Sequence, residues 1–280
     1  MIHAKISKVL LTKLILISCC LISAKAIAIE TVLINSPLSH TDTRYDYPKI
    51  LLQQILNATE AEFGKAIVKN NGIPMKRTRA LSALEKGQDL HVMAEAPKKD
   101  WTSRLLTVYI PIRKGIQGYR LFLIHEKNRQ KLNKTHTFDK FKSLSTGSGD
   151  QWSTTRVLDE SGFNVVRGSN YEGLFAMLMR GRFVTFGRGI NEIFEEYSSH
   201  KDKFPRLGID ERFVLYTPLP TYFFVSPLKP QLRNRIEVGL NKLINSGAFT
   251  KIFETEFGDL IEKAKLSERI LFEVPNPNLS

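Results

Sequence analysis

Two stretches of this 280-residue chain combine residue types and spacings that could do chemistry. In the first, Phe186-Gly187-Arg188-Gly189-Ile190-Asn191-Glu192, a guanidinium and a carboxylate follow the short β-prone run Phe183–Phe186. An arginine at a strand end can clamp a carboxylate through two hydrogen bonds, and a nearby acid such as Glu192 can hold an ammonium. An Arg–Glu pair on one helical turn, of little energetic weight when exposed, would use the same residues. The flanking glycines make an unusual place to expose a charge and favour the binding reading of Arg188. Glu192, Glu195 and Glu196 are weaker candidates, because acids also suit a helix start. The second stretch is Ser145-Thr146-Gly147-Ser148-Gly149-Asp150-Gln151-Trp152. Small residues before a helix leave backbone N–H groups free for an anion, and Ser148 and Thr146 could add hydroxyls. Plain capping of the following helix explains the composition almost as well. No Gly-Lys-Ser/Thr follows, so a phosphate-binding P-loop is not indicated.

Earlier in the chain Glu95, Trp101, Arg104 and Tyr109 cluster where strand ends should open. Trp101 could stack on a ligand or serve as a lid or packing residue. Arg120 falls within a strand, where a buried guanidinium must be paired or bind an anion. Arg44 and Tyr45 follow the first strand and are cleft candidates. Catalytic signatures are missing: no Gly-x-Ser-x-Gly elbow, no HExxH or similar metal spacing, and isolated His40, His91, His125, His136 and His200. No catalytic residue, metal or cofactor is therefore expected.

These candidates hang on two similar units. Arg79–Pro97 reads as a helix with Leu81 and Leu84 inward, a Gly87 stop, and a strand Asp89–Ala94 ending at Glu95. Tyr171–Glu196 repeats that order: a helix with Leu174, Phe175 and Leu178 on one face, Gly181 at its C-terminus, then Phe183–Phe186. Further strands are expected at Thr31–Asn35, Lys65–Val68, Arg104–Ile112, Arg120–His125, Asn164–Arg167, Phe213–Tyr216 and Tyr222–Ser226. Helices are expected at Pro48–Thr59, Thr137–Leu144, Ser153–Ser161, Leu232–Ser246 and from Ala248, with a loose tail from Glu273. Alternating strands and helices argue an α/β fold, and two echoing units suggest two facing lobes.

The N-terminus reads as an export signal: Lys5 and Lys8, an apolar stretch Val9–Ile22, then Ala26-Ile27-Ala28 as a cleavage pattern. A lipobox-like Leu16-Ile17-Ser18-Cys19 offers a second processing route, and cleavage after Ala28 is preferred. It would remove both cysteines, leaving no disulfide or thiol chemistry in an oxidising compartment, and would lower the formal charge from +13 to +9. The remaining basic residues are scattered without interleaved aromatics, which speaks against nucleic acid.

The order of these elements resembles the periplasmic solute-binding proteins of the family-3, amino-acid-binding type. The likeness rests on the signal, the Arg79–Asp89 helix, the Arg104–Pro111 run, the Gly147-Ser148-Gly149 turn, the Phe183–Glu192 unit, the return strand Tyr222–Ser226 and the helix Leu232–Phe249. It implies two lobes joined by two crossing strands, closing by hinge motion. Lobe 1 would comprise residues 29–117 and 222–280, and lobe 2 residues 118–221, after a signal at 1–28. It also implies that Arg104, with Arg120 as a substitute, binds a carboxylate, and that Glu192 holds an ammonium. The family's Asp at the second strand end is replaced by Gly187-Arg188-Gly189, and the loop after strand one reads Ser36-Pro37-Leu38-Ser39-His40. An added arginine suits a more acidic solute. The expected protein is a periplasmic monomer binding a small polar or anionic solute through Tyr45, Glu95, Trp101, Arg104, Arg120, Ser148, Arg188 and Glu192. Its partner would be an inner-membrane permease of the ABC type. A sensory protein signalling to a membrane receptor, or a periplasmic enzyme on the same scaffold, are the alternatives.

Overall fold

A computed structural model describes residues 29–39, 42–98 and 100–279. The expected export segment 1–28, with Cys19 and the Ala28 cleavage site, lies outside the described residues, as does His40. The chain opens with β1 (Glu30–Ser36), whose Val32 and Ile34 are fully buried. Helix α1 (Asp46–Ala58) follows and turns Tyr47, Leu51, Leu52, Ile55 and Leu56 inward. Next come β2 (Ala66–Pro74), α2 (Arg77–Lys86), β3 (Val92–Glu95) and the short β4 (Leu106–Val108). The chain then crosses to β5 (Tyr119–His125), β6 (Ser145–Gly149), α3 (Ser153–Glu160), β7 (Asn164–Gly168), α4 (Tyr171–Met179) and β8 (Thr185–Gly189). Helix α5 (Ile190–Lys201), β9 (Leu207–Ile209) and β10 (Phe213–Tyr216) complete this half. The return runs through β11 (Tyr222–Val225), α6 (Pro230–Asn245), α7 (Ala248–Ala264) and β12 (Ile270–Glu273).

Two sheets result, ordered β2-β1-β3-β11-β4 and β12-β10-β5-β8-β6-β7, with β9 also on β5. The fold is α/β and two-lobed. Two crossings, the segments 109–118 and 217–221, lie side by side: the Thr217 N–H donates to the Gly118 carbonyl at 3.1 Å, and Thr221 Oγ1 donates to Gln117 Oε1 at 2.6 Å. A third passage runs along α7, from Phe253 in the core of the first lobe to Ala264 in that of the second, and leads into β12. The first sheet has a core on each face, one joining Leu51, Ile55, Ile236, Leu240 and Phe253 and one joining Leu81, Leu84, Met93, Trp101 and Phe224. The second sheet has a core on each face, one around Phe175 and Phe186 and one around Phe122 and Phe141. Each such side chain, fully buried, contributes about 1.5–3 kcal/mol. Arg235 is also buried, because it donates to the Leu56 and Gly64 carbonyls (3.0 and 2.6 Å) and satisfies acceptors freed where α1 ends.

The two echoing units are present, each helix ended by a left-handed glycine, Gly87 at φ 62° and Gly181 at φ 74°. Four expectations need correction. The Ser145–Gly149 run is not a loop but β6, inserted between β7 and β8. Its glycines make room for rings: a Cβ on Gly147 would lie 2.3 Å from Phe183, and one on Gly149 would lie 2.5 Å from Trp152. The β-prone Arg104–Ile112 run yields only Leu106–Val108 as strand, because Trp101–Arg104 forms one helical turn ahead of it. The strand expected at Phe183–Phe186 lies two residues later, so Arg188 is inside it. The segment before the expected tail forms β12, which pairs in parallel with β10 and joins the second sheet, not the first as the expected 222–280 boundary had it. The tail from Glu273 is held as well. Beyond β12, Asn276 donates to the Pro218 carbonyl (2.7 Å) and Asn278 to the Ser153 carbonyl (3.3 Å).

Candidate functional site

In open α/β sheets, ligands bind outside the carboxyl ends of the strands. Here those ends face each other. The loop after β1 with Arg44 and Tyr45, the β2–α2 turn with Arg77, and Glu95 at the end of β3 come from the first lobe. Opposite them stand Asp150 to Trp152 after β6 and Asn170 to Glu172 after β7. They enclose a cavity of about 260 Å³. A deeper recess of about 50 Å³ runs on toward the crossings and is lined by Arg120, Arg188 and Glu192.

Arginines dominate this cleft, and each has its own carboxylate. Arg188, 1% exposed, donates from Nε and Nη2 to the two oxygens of Glu196 at 2.6 and 2.5 Å. The Tyr171 hydroxyl donates to the same carboxylate at 2.9 Å. Glu192 lies 3.3 Å from Arg188 and 3.5 Å from Arg120, and accepts from the Gly189 N–H at 3.0 Å. Arg120 also donates to the Gly187 carbonyl at 2.8 Å. Burial alone would raise the Glu192 carboxyl, but Arg188, Arg120 and Arg44 together hold it down at about 2. Burial pulls Arg120 down to about 10 despite Glu192, leaving it charged at neutral pH. Arg77 pairs with Glu95 at 3.0 Å. Arg44 forks onto Asp42 at 2.6 and 2.8 Å. Trp152 stands among these groups, its ring 4.5 Å from the Arg188 guanidinium and 5.9 Å from that of Arg44.

The lobes touch directly. Arg77 Nη1 donates to Ser153 Oγ at 2.9 Å, Thr78 Oγ1 to Gln151 Oε1 at 3.2 Å, and Ser39 Oγ to Glu172 Oε1 at 3.0 Å. After this spread of donors, Arg77 Nε remains buried with no partner. A buried donor left unpaired costs about 1–3 kcal/mol.

Of the residues singled out in the sequence, Tyr45, Glu95, Arg120, Arg188 and Glu192 line the cleft or its recess. Three do not. Arg104 is surface-exposed and held by Glu85 (2.7 and 3.0 Å) and Asp100 (3.0 Å), because the helical turn carrying it faces α2 rather than the other lobe. Trp101 is 2% exposed and packs edge-on against Phe224 at 5.3 Å, a core residue under the Arg77 guanidinium. Ser148 is buried in β6, its hydroxyl 2.8 Å from that of Thr155. Sequence reading passed over Arg77, which ends the β2–α2 turn, the position a carboxyl-end rule selects once β2 is seen to run to Pro74. It also demoted Glu196 to a helix-dipole residue. The signal for Glu196 was its spacing of eight from Arg188, which only a strand-to-helix turn brings together.

Among the described residues no group of His, Cys, Asp and Glu could hold a metal ion, and no helix is long and apolar enough to cross a membrane. No family model matches the chain, and no curated protein matches it in sequence. Solved structures do. An ancestral arginine-binding protein bound to glutamine superposes with a TM-score of 0.59 at 14% identity, over 81% of this chain and 98% of that one. An ancestral amino acid-binding protein, a precursor of cyclohexadienyl dehydratase, gives 0.58 at 12%, over 81% and 95%. A Salmonella typhimurium periplasmic binding protein with high arginine specificity gives 0.56 at 13%, over 81% and 99%. The chain thus shares the two-lobed α/β fold of these structures.

Proposed function

We propose that this chain is an exported solute-binding protein that closes its two lobes on a small polar, amino-acid-like solute and delivers it to an ABC-type permease in the inner membrane. One observation carries the reading: a buried guanidinium N–H, Arg77 Nε, without a partner beside the cavity between the lobes. A carboxylate entering the cavity would satisfy it and would compete with Glu95 and Ser153 for the rest of the fork. Tyr45, Glu95, Arg120, Trp152, Arg188 and Glu192 complete the set assigned to the solute. The structural neighbours that bind arginine, glutamine or other amino acids support the class of solute. Binding is favoured over catalysis because the buried acid of the recess, Glu192, is held near 2, far from the neutral range that suits a proton-transfer group.

The test is a thermal-shift screen of the purified protein against amino acids, dicarboxylates, small peptides and sugars. A solute at 100 times its Kd adds about 2.7 kcal/mol to the folded state, or roughly 5–10 °C in Tm for a chain of this size. The expected result is a saturable rise with at least one carboxylate-bearing solute, lost in Arg77→Ala and retained in Arg104→Ala. No rise across the panel, or a rise unaffected by Arg77→Ala, would refute the assignment.

A further inference from the structure

Three aromatic rings in the cleft surround one guanidinium that belongs to the chain itself. The Arg44 Cζ lies 4.8 Å from the Tyr171 ring centre, 5.5 Å from that of Tyr45 and 5.9 Å from that of Trp152. A cation within about 6 Å of a ring face is attracted by the ring quadrupole, and several rings around one point form the kind of cage that takes cationic ligands. Two of the rings come from the second lobe, so the cage exists only where the lobes meet.

The occupant is firmly seated. Arg44 Nε and Nη2 fork onto Asp42, whose side chain is fully buried and also accepts the Leu38 N–H at 2.9 Å. Arg113 Nη2 donates to the Arg44 carbonyl at 2.5 Å and fixes the backbone from below. Burial opposes the charge on Arg44, but the Asp42 carboxylate beside it and Glu192 outweigh burial and keep the guanidinium protonated.

We propose that Arg44 is the built-in occupant of a guanidinium-binding aromatic cage, and that by filling it the chain excludes solutes with a cationic side chain. This rests on the reading of the interlobe cleft as the solute site, and restricts its solutes to neutral or acidic ones. Removing the Arg44 side chain empties a cage that keeps three rings and a buried carboxylate at its foot. An unpaired buried carboxylate demands a cation, and a free guanidinium has the fork that Asp42 now accepts.

The experiment is calorimetric and thermal-shift titration of wild type, Arg44→Ala and Arg44→Ala/Asp42→Asn with ethylguanidinium chloride and L-arginine, in the low millimolar range where guanidinium does not denature. Sodium and tetramethylammonium chloride serve as ionic controls. Arg44→Ala is expected to bind ethylguanidinium at least tenfold more tightly than wild type and to gain several degrees in Tm from it. The double variant, with no carboxylate for the fork, is expected to lose most of that gain. The proposal is overturned if folded Arg44→Ala binds guanidinium no better than wild type, or if wild type already binds L-arginine tightly. Should Arg44→Ala fail to fold, Arg44→Ser, whose short polar side chain also vacates the cage and leaves Asp42 without a cation, is titrated in its place with the same two outcomes. Titration of wild type with neutral and acidic amino acids separates the two readings. A wild type that binds none of them loses its proposed solute class, while the guanidinium gain still reports on the cage.

Discussion

Glu196→Ala is the substitution whose consequence follows most directly from the geometry. Glu196 is 2% exposed and serves three donors: Arg188 Nε, Arg188 Nη2 and the Tyr171 hydroxyl. Its removal leaves Arg188, itself 1% exposed, with only the longer contact to Glu192 at 3.3 Å. Breaking a buried ion pair by deleting one partner costs about 3–5 kcal/mol, and an orphaned buried hydroxyl adds about 1–3 kcal/mol. Since both penalties arise in one collapsing site, about 4 kcal/mol in total is expected. At about 2–4 °C per kcal/mol for a chain of this size, Tm should fall by roughly 8–16 °C. The assay is differential scanning calorimetry, with far-ultraviolet circular dichroism to confirm folding and the exposed neighbour Glu195→Ala as control. A cooperative transition within about 3 °C of wild type would refute the claim that this pair is buried and obligatory. The double replacement Arg188→Met/Glu196→Leu adds a sharper condition. Apolar residues of similar volume often replace a buried pair without loss, so the double variant should recover most of the lost Tm while abolishing solute binding.

Further outcomes follow from the same structure. Glu192 sits at about 2 against an ordinary 4.5, so its contribution, roughly 3 kcal/mol at about 1.4 kcal/mol per unit, is present above pH ~4.5 and lost as pH falls toward 2. Denaturant titrations over that window should show a shallower loss in Glu192→Gln than in wild type, and equal slopes would contradict the depressed value. The only two tryptophans occupy different places, Trp101 in the core and Trp152 in the cleft. Solute-induced fluorescence change should therefore vanish in Trp152→Phe and persist in Trp101→Phe. Gly149→Ala places a methyl 2.5 Å from the Trp152 ring, and such overpacking should cost about 1–3 kcal/mol and weaken solute binding, checked by calorimetry. Deleting residues 274–280 removes the Asn276–Pro218 and Asn278–Ser153 bonds and should speed limited proteolysis of the second lobe, whereas a truly loose tail would leave the digest unchanged.

Local patterning was enough to read the α/β class, the two echoing helix–glycine–strand units and the amphipathic helices. Each of those depends on spacing within one element: Leu51, Ile55 and Leu56 on one face of α1 (though Ile50, expected inward with them, is exposed), or a glycine where the helix must turn left-handed. The same logic placed Glu95, Arg188 and Glu192 near strand ends and so at the cleft. It failed where a residue's role depends on a partner distant in sequence. Arg104 matched the expected order of elements, yet Glu85 and Asp100 hold it on the surface. Arg77 had no local mark, because its importance comes from Glu95 beside it in the first lobe and from Ser153, which meets it across the cleft. The Ser145–Gly149 run is small because Phe183 and Trp152 pack on it, and composition alone could not tell that packing demand from an anion-binding turn. The tail from Glu273 is held for a related reason: Asn276 and Asn278 donate to the Pro218 and Ser153 carbonyls, each more than fifty residues away. Sequence thus determined which segments could be helix or strand and which face each would bury, since those are short-range constraints. The tertiary structure alone decided which charges neutralise one another and which guanidinium fills the aromatic cage, since a buried charge is stabilised only by the groups the fold brings around it.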